Sequence, residues 1–161
     1  MAEQFLIRAG TLADAETVVA HRRAMFLDMG YPDDDAMRGM IERFRPWLVA
    51  RMQAGEYLAW FAVERGDQDQ TVAAGLGMWI MDWPPHMLGP GRWRPNILNV
   101  YTRPECRRQG LARKLMDHAL AWCRANRLST VILHASDAGR PLYQSMGFQA
   151  STEMRMILKP E

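Results

Sequence analysis

The spacing of apolar residues in the first third of the chain predicts a strand followed by two helices. A short apolar run, FLIRAGT, begins at residue 5 and predicts the strand. Residues 13–29 then repeat apolar side chains at helical spacing, and a second helical pattern follows the acidic run DDD and ends at Gly55. Pro46 lies inside the second pattern, so we expect this helix to be kinked or divided there.

The middle of the chain predicts three strands. The runs EYLAWFAVERG and TVAAGLGMWIMDW are rich in β-branched and aromatic residues, and the polar turn GDQDQ between them favours an antiparallel hairpin. The glycines of GLG at 75–77 lie inside the second run, where they indicate a bulge or a close-packed position. A third run, NILNVYT, ends at Thr102 and leads toward a helical pattern over about residues 110–126.

The last third of the chain predicts two further strands and a short helix. STVILHAS predicts a buried strand, GRPLYQSMG a short helix and FQASTEMRMIL a final strand. The predicted order is therefore β-α-α-β-β-β-α-β-α-β. This order is typical of an α/β protein with a mixed sheet (α+β), and not of the regular βαβ alternation of a dinucleotide-binding fold. At 161 residues, the chain predicts a single domain over residues 1–161.

Composition narrows the classes of protein to which the chain can belong. Apolar residues make up 48% of the chain, yet no apolar run is long enough to cross a bilayer, so we expect no membrane partner. The N-terminus has no basic leader followed by an apolar stretch, which argues against a secretory signal. Cys106 and Cys123 have no second pair at metal-ligand spacing, so we expect no metal, and reduced thiols in a cytoplasmic protein.

The positive charge is concentrated in one segment. Residues 92–127 hold nine basic and two acidic side chains, a net charge of +7, whereas residues 1–91 carry a net charge of −5. A local excess of this kind suggests an anionic ligand that binds at one place. Because no basic stripe with interleaved aromatic residues runs along the chain, a small polyanion fits better than nucleic acid.

The stretch RRQGLAR, residues 107–113, lies in this segment between a predicted strand and a predicted helix. Free N–H groups and the dipole at a helix start bind phosphate, and Gly110 has no Cβ to obstruct its approach. Arg107, Arg108 and Arg113 can add forked guanidinium donors. A solvated basic turn with a convenient glycine explains this spacing equally well. The chain has neither GxxxxGK[ST] nor GxGxxG, so neither nucleotide-binding loop is favoured.

A wider segment, NVYTRPECRRQGLARKL, resembles the acyl-CoA binding segment of the GNAT superfamily of N-acyltransferases. The family's mark is Arg or Gln, two residues, Gly, one residue, and Gly or Ala, and it corresponds here to residues 107–112. A second stretch, LHASDAGRPLYQSMGF, resembles the family's closing segment, with Tyr143 four residues before the pair Gly147 and Phe148. Both motifs occur in order with a predicted helix between them, and the resemblance covers nearly the whole chain.

The resemblance implies a GNAT-like fold and acetyl-CoA as cosubstrate, with no metal. Its central strands would splay apart, and free backbone groups at the end of one strand would bind the pantetheine arm, while the loop before the central helix would hold the pyrophosphate. Ser136 stands where many members have Asn near the pantetheine, and Gly139 replaces a frequent Ala, a change that we expect to be harmless. The implied cofactor-binding residues are Val100, Tyr101, Thr102, Arg107, Arg108, Gln109, Gly110, Leu111, Ala112, Arg113 and Ser136.

The resemblance also implies that Tyr143 is the general acid, which gives a proton to the CoA thiolate as it leaves. The alternative is a tyrosine packed under the last strand with its hydroxyl on a backbone carbonyl. The general base is open: Glu153, our choice for the catalytic carboxylate, competes with His134, His86 and bulk water. Asn99 can orient the acceptor, but the alternation of side chains along a strand also allows it to point away.

The implied activity is the transfer of an acetyl group to a primary amine, on a small molecule or a peptide. We expect the acceptor pocket among the first two helices, the proline-rich loop and the last strand, and the acidic N-terminal part favours a cationic amine. Candidates for its lining, which are more often core residues, are Phe26, Met29, Tyr31, Trp83 and Trp93.

Two other functions compete with the transferase. A non-catalytic acyl-CoA binding or sensing module would keep the loop that holds the pyrophosphate but would not catalyse acyl transfer. A nucleic-acid binder would use the basic segment, residues 92–127. The sequence leaves open the identity of the amine, the length of the acyl chain and the oligomeric state, for which a homodimer is one expectation.

Overall fold

The computed structural model describes residues 4–66, 71–89 and 91–158. Short 3-10 turns at Leu12–Asp14 and Pro104–Cys106 precede the first and third helices. The helices are α1 (Ala15–Asp28), α2 (Asp35–Gln53), α3 (Leu111–Ala125) and α4 (Arg140–Ser145). The strands are β1 (Phe5–Ala9), β2 (Tyr57–Glu64), β3 (Val72–Asp82), β4 (Trp93–Thr102) and β5 (Ile132–Leu133).

The strands form one mixed sheet in the order β1-β2-β3-β4-β5. The first four strands pair antiparallel, and β5 runs parallel to β4. The predicted hairpin of β2 and β3 and the mixed α/β fold class are therefore confirmed. Of the predicted turn GDQDQ, residues 67–70 lie outside the described residues.

Apolar side chains pack on both faces of the sheet. Because successive residues of a strand point to opposite faces, Trp60 and Ala62 of β2 join the cluster under α3, whereas Ala59 and Phe61 join the cluster under α1 and α2. The α3 cluster is completed from the helix by Leu111, Leu115, Met116, Ala119 and Cys123. The sheet is thus covered on both sides, and α1 and α3 both reach the C-terminal half of β4.

Of the two outcomes expected at Pro46, a kink or a division, the structure excludes the division, because α2 continues through it from Asp35 to Gln53. A proline inside a helix costs about 3 kcal/mol, since it removes a hydrogen bond and crowds the preceding turn. Burial on both sides of it offsets that cost: Phe44 and Leu48 lie in the core. Trp47 stacks on Phe44 with ring centroids 5.8 Å apart and meets Trp79 edge-on at 5.2 Å.

The predicted final strand is wrong for the residues that the structure describes, since residues 149–158 adopt no strand. A strand needs a neighbouring edge to pair with, and β5 offers only two residues and is half-buried, not the longer buried strand that STVILHAS predicted. The apolar side chains Met154, Met156, Ile157 and Leu158 accordingly keep at least 80% of their surface exposed. Because these side chains stay exposed, no burial free energy offsets the conformational entropy that the backbone would lose by forming a strand.

Candidate functional site

The cleft of this protein opens where β4 and β5 separate. The two strands pair only at Asn96 with Ile132 and at Ile97 with Leu133, so β4 from Leu98 onward has no strand partner on that side. A cleft of about 1040 Å³ fills the gap and is bordered by α1, the end of β4, the start of α3 and α4. Every predicted cofactor-binding residue lines this cleft except Gln109. The expected splay of the central strands is therefore present.

The loop between β4 and α3 forms a cradle at one end of the cleft, and its open helix start and arginines are features suited to bind an anion. Gly110 caps α3 with φ +76°, and Arg108 also has a positive φ of 61°. The N–H groups of the first helical turn have no partner within the helix, and the helix dipole is positive there. A Cβ on Gly110 would meet no atom within 4 Å, so the space in front of the helix start is open. Leu111, the first helical residue, anchors the turn in the core.

The three arginines of the cradle differ in their partners. Arg107 pairs with Asp28 of α1 and donates from Nε to the Thr102 carbonyl at 3.1 Å. Arg113 donates to the hydroxyl of Ser145 in α4. Arg108 is exposed and makes no hydrogen bond or ion pair with any residue that the structure describes. The guanidinium groups of Arg107 and Arg113 are therefore held by other residues, whereas that of Arg108 is free to bind an anion.

A bulge interrupts β4 just before the part of the strand that lines the cleft. Between Gly75 and Gly77 of β3 the pairing register shifts by one residue, because β4 carries an extra residue near Asn99. Asn99 has φ +53°, a left-handed conformation that is uncommon outside glycine. A Cβ on Gly75 would lie 2.7 Å from Nδ1 of His21, and one on Gly77 would overlap the hydroxyl of Tyr57. The prediction of a bulge or a close-packed position at GLG is confirmed.

The bulge turns Asn99 toward α1 and away from the cradle. Its Oδ1 accepts a hydrogen bond of 2.8 Å from Nη1 of Arg22, and its Nδ2 donates to the Tyr57 hydroxyl at 2.9 Å. Tyr57 is buried, and burial raises the pKa of its hydroxyl above the ordinary value. Burial also lowers the pKa of the Arg22 guanidinium. Sequence reasoning missed Arg22, and only the GLG glycines signalled that β4 is distorted here.

Tyr143 lies in α4 with its ring on the cleft. The ring meets Phe148 edge-on at 6.1 Å between centroids, and burial raises the pKa of the hydroxyl. That hydroxyl makes no hydrogen bond with any of the described residues, so the alternative in which it bonds a backbone carbonyl is wrong. Ser136 also lines the cleft, and its Oγ accepts the Gly139 N–H at 3.2 Å.

The candidate bases lie outside the residues that line the cleft. Glu153 is exposed, and its Oε1 is 3.1 Å from Nε2 of His134, which is equally exposed. His86 lies in the proline-rich loop, where its Nδ1 accepts the N–H of Leu88 at 3.2 Å. Glu153 and His134 thus contact each other, and neither is among the residues that line the cleft.

The aromatic residues expected around the acceptor are spread over several places. Met29 lines the cleft, whereas Phe26 and Tyr31, whose rings meet edge-on, are not among the residues that line it. Trp83 and Trp93 border a separate hollow of about 250 Å³ at the start of β4, so they do not belong to the cleft.

The described residues contain no group of three His, Cys, Asp or Glu side chains that could hold a metal ion. None of the helices within the described ranges has both the length and the apolar character needed to cross a membrane.

Comparisons with known proteins agree with this geometry. The crystal structure of a GCN5-related N-acetyltransferase from Ralstonia eutropha JMP134 is 35% identical over 96% of this chain and 98% of its own, with a TM-score of 0.88. A predicted acetyltransferase with acetyl-CoA from Clostridium acetobutylicum is 23% identical over 96% of both chains, with a TM-score of 0.80. An aminoglycoside acetyltransferase from an uncultured soil metagenomic sample shares the fold at 16% identity and a TM-score of 0.69, over 98% of this chain and 100% of its own.

No curated protein matches the chain at a significant level. The model of the Acetyltransferase (GNAT) family matches residues 19–148, which include β4, the cradle, α3 and Tyr143. Because that match spans most of the chain and the fold agrees, this protein belongs to the GNAT family of acetyltransferases.

Proposed function

We propose that the protein moves an acetyl group from acetyl-CoA to a primary amine by direct attack within a ternary complex, with Tyr143 as general acid. The observation that carries this proposal is the position of the Tyr143 hydroxyl, which has no hydrogen-bond partner among the described residues and borders the same cleft as the start of α3. Acyl transfer from a phosphorylated thiol carrier needs a site for the phosphates and a proton donor for the leaving thiolate. The start of α3 can bind the phosphates, and the free hydroxyl of Tyr143 in the same cleft can donate the proton.

Acetyl-CoA supplies the activated thioester, and the chain supplies its binding. The pyrophosphate takes the N–H groups at the start of α3 and the open guanidinium of Arg108. The arm that leads to the thioester runs back along Thr102, Tyr101 and Val100, whose backbone faces no strand on the cleft side. The hydroxyl of Ser136 remains able to donate to the arm, because its oxygen accepts from Gly139.

The chemistry needs two proton movements. As the amine nitrogen bonds to the acyl carbon and the carbon–sulfur bond breaks, the sulfur gains the electron pair and Tyr143 gives it a proton. The raised pKa keeps this hydroxyl protonated at neutral pH. The nitrogen must lose a proton, and Glu153, paired with His134, is the candidate that receives it and exchanges it with solvent.

The second candidate function is a non-catalytic acyl-CoA binding module. The observation in its favour is that neither Glu153 nor His134 lines the cleft. The unused hydroxyl of Tyr143 favours the transferase, since a sensor has no need of a proton donor there.

Calorimetric titration with acetyl-CoA, followed by thiol release over a panel of amines, tests the proposal. We expect binding in a one-to-one ratio and turnover with at least one amine. Absence of binding would remove both acyl-CoA functions. Binding without turnover on any amine above the background hydrolysis would favour the sensing module.

A further inference from the structure

Tyr57 of β2 carries a buried hydroxyl that reaches across β3 to β4. The hydroxyl lies where a side chain at Gly77 of β3 would be, since a Cβ on Gly77 would overlap it. Gly77 faces Leu98 of β4 in the sheet, so the hydroxyl arrives at the place where the bulge begins. There it accepts a hydrogen bond of 2.9 Å from Nδ2 of Asn99. The glycine at position 77 thus leaves room for this contact between β2 and β4.

Asn99 adopts a backbone conformation that needs support from its neighbours. Its φ of +53° is left-handed, a conformation that costs free energy outside glycine and persists where surrounding contacts impose it. The side chain of Asn99 is buried and makes two hydrogen bonds, one to the Tyr57 hydroxyl and one from Nη1 of Arg22 at 2.8 Å. Contacts from β2 and from α1 therefore hold the residue at which β4 bulges.

The bulge determines which backbone groups of β4 face the cleft. Arg103, the residue after β4, donates its backbone N–H to a carbonyl of β3. Because bonded residues alternate along an antiparallel ladder, Tyr101 also bonds to β3, and Val100 and Thr102 turn their N–H and C=O groups to the other side. In agreement, the Thr102 carbonyl accepts a hydrogen bond from Nε of Arg107, a residue that lines the cleft. Without the extra residue the register would slip by one, and Tyr101 would present its backbone to the cleft instead.

We propose that Tyr57 is a positioning residue for acyl transfer. Through Asn99 its hydroxyl holds the bulge, and the bulge sets the backbone groups that Val100 and Thr102 present to the arm of acetyl-CoA. This inference rests on the proposed function, because it concerns where the thioester lies relative to Tyr143. Tyr57 is not among the residues that line the cleft, so its effect on the reaction is transmitted through the position of β4.

Tyr57→Phe removes the hydroxyl and keeps the ring. We expect kcat for acetyl transfer, at saturating acetyl-CoA and amine, to fall by roughly tenfold, since a small displacement of the bound thioester is enough for such a loss. The Kd of acetyl-CoA should change by less than about threefold, because the helix start at Gly110 still binds the pyrophosphate. The pH–rate profile should keep its shape, because burial raises the pKa of Tyr57 and its hydroxyl stays neutral over the assay range.

Two variants of Asn99 separate its backbone conformation from its side-chain contacts. Asn99→Gly adopts the left-handed conformation freely but makes neither hydrogen bond, so its kcat should fall at least as far as that of Tyr57→Phe. Asn99→Asp also tolerates the conformation, and its carboxylate can accept from both Arg22 and the Tyr57 hydroxyl, so its kcat should stay within about threefold of wild type. The double variant Tyr57→Phe with Asn99→Gly should lose no more than Asn99→Gly alone, because the contact is already broken.

Val63→Ala is the control for a loss of stability. Val63 is buried in the same strand as Tyr57 but pairs with the start of β3, away from the bulge. Removing its methyl groups should lower Tm and leave kcat within about twofold of wild type. Tm and the number of acetyl-CoA sites per chain, measured on every variant, report the folded fraction. If Tyr57→Phe fails to fold, the comparison of Asn99→Gly with Asn99→Asp decides.

Four results would each overturn the inference: wild-type kcat in Tyr57→Phe, the same loss of kcat in Val63→Ala as in Tyr57→Phe, equal kcat in Asn99→Gly and Asn99→Asp, or losses that multiply in the double variant. All four leave acetyl transfer by the wild type intact. Failure of the proposed function is a different result, because the wild type would then not bind acetyl-CoA or would turn over no amine.

Discussion

Gly139 lies directly against the ring of Tyr143. A Cβ at position 139 would be 2.9 Å from Cε2 of Tyr143 and 3.2 Å from Oγ of Ser136. The first distance is shorter than real carbon contacts, so a side chain here must displace the ring or the loop before α4. An Ala at this position would therefore crowd the ring, whereas the expectation that Gly139 itself is harmless stays a prediction.

We predict that Gly139→Ala lowers kcat by about tenfold while acetyl-CoA affinity changes by less than about threefold. The displaced ring moves the proposed acid away from the thiolate, and a misplacement of about 1 Å is enough for such a loss. Steady-state kinetics and calorimetry measure the two effects. Gly39→Ala is the matched control, because its Cβ meets only the flexible end of Arg43 on α2. Unchanged kcat in Gly139→Ala would show that the ring position is not critical.

Tyr143→Phe isolates the hydroxyl, because it keeps the ring that packs on Phe148. We expect kcat to fall by roughly 100-fold, the lower end of what a general acid contributes. Since burial raises the pKa of Tyr143 above its ordinary value, wild-type protein should show no loss from deprotonation of this group below about pH 10. A pH–rate profile of both proteins checks this, and equal kcat at every pH would exclude the acid role.

The cradle could be predicted from sequence because it is local. The strand, the glycine and the first helical turn are contiguous, and their chemistry follows from the helix start alone. The contact between Arg22 and Asn99 joins residues 77 positions apart and depends on a bulge with a left-handed residue. No periodicity encodes such a contact. The last strand was mispredicted for the same reason, because the strand edge that it would need is set by the rest of the fold, and tertiary packing likewise keeps α2 undivided at Pro46.

Substitutions at Gly110 can distinguish the effect of backbone conformation from the effect of charge on anion binding by the cradle. Asn and Asp both tolerate the left-handed conformation, and a Cβ at this position meets no atom within 4 Å, so we expect both variants to fold. Gly110→Asp should raise the Kd of CoA by at least about tenfold, and Gly110→Asn by distinctly less, because only Asp adds negative charge beside the phosphate. Calorimetry measures both constants. Equal affinity of Gly110→Asp and wild type would refute the cradle.

Glu153→Gln tests the proposed base. If the carboxylate receives the proton of the amine, kcat/KM at neutral pH should fall by about 100-fold, and the acidic limb of the pH profile should change. His134→Gln removes the partner and keeps the carboxylate, so its smaller loss would assign the role to Glu153. Thiol release over pH 5.5–9.5 gives both profiles. Wild-type rates in Glu153→Gln would instead indicate that bulk water receives the proton.

His21 makes stability depend on pH. The imidazole is buried under β3, and burial, with the nearby charge of Arg103, lowers its pKa from 6.5 to about 4. The unfolded chain therefore binds this proton at a higher pH than the folded chain, so the stabilisation is complete above about pH 6.5 and is lost as the pH falls toward 4. We expect wild-type protein to lose up to roughly 3 kcal/mol of unfolding free energy across this range from His21 alone.

Urea unfolding of wild type and His21→Gln at several pH values between 7 and 4 measures this loss. Glutamine does not titrate, so the free-energy difference between the two proteins should shrink as the pH falls, whereas other titrating groups cancel. A constant difference between wild type and His21→Gln over the whole range would mean that the folded protein accepts the proton on His21 as readily as the unfolded chain does. In that case the contact of the imidazole with Tyr101, 5.0 Å between ring centroids, would tolerate the charged ring, and the pH sensitivity of the fold would have to come from its carboxylates.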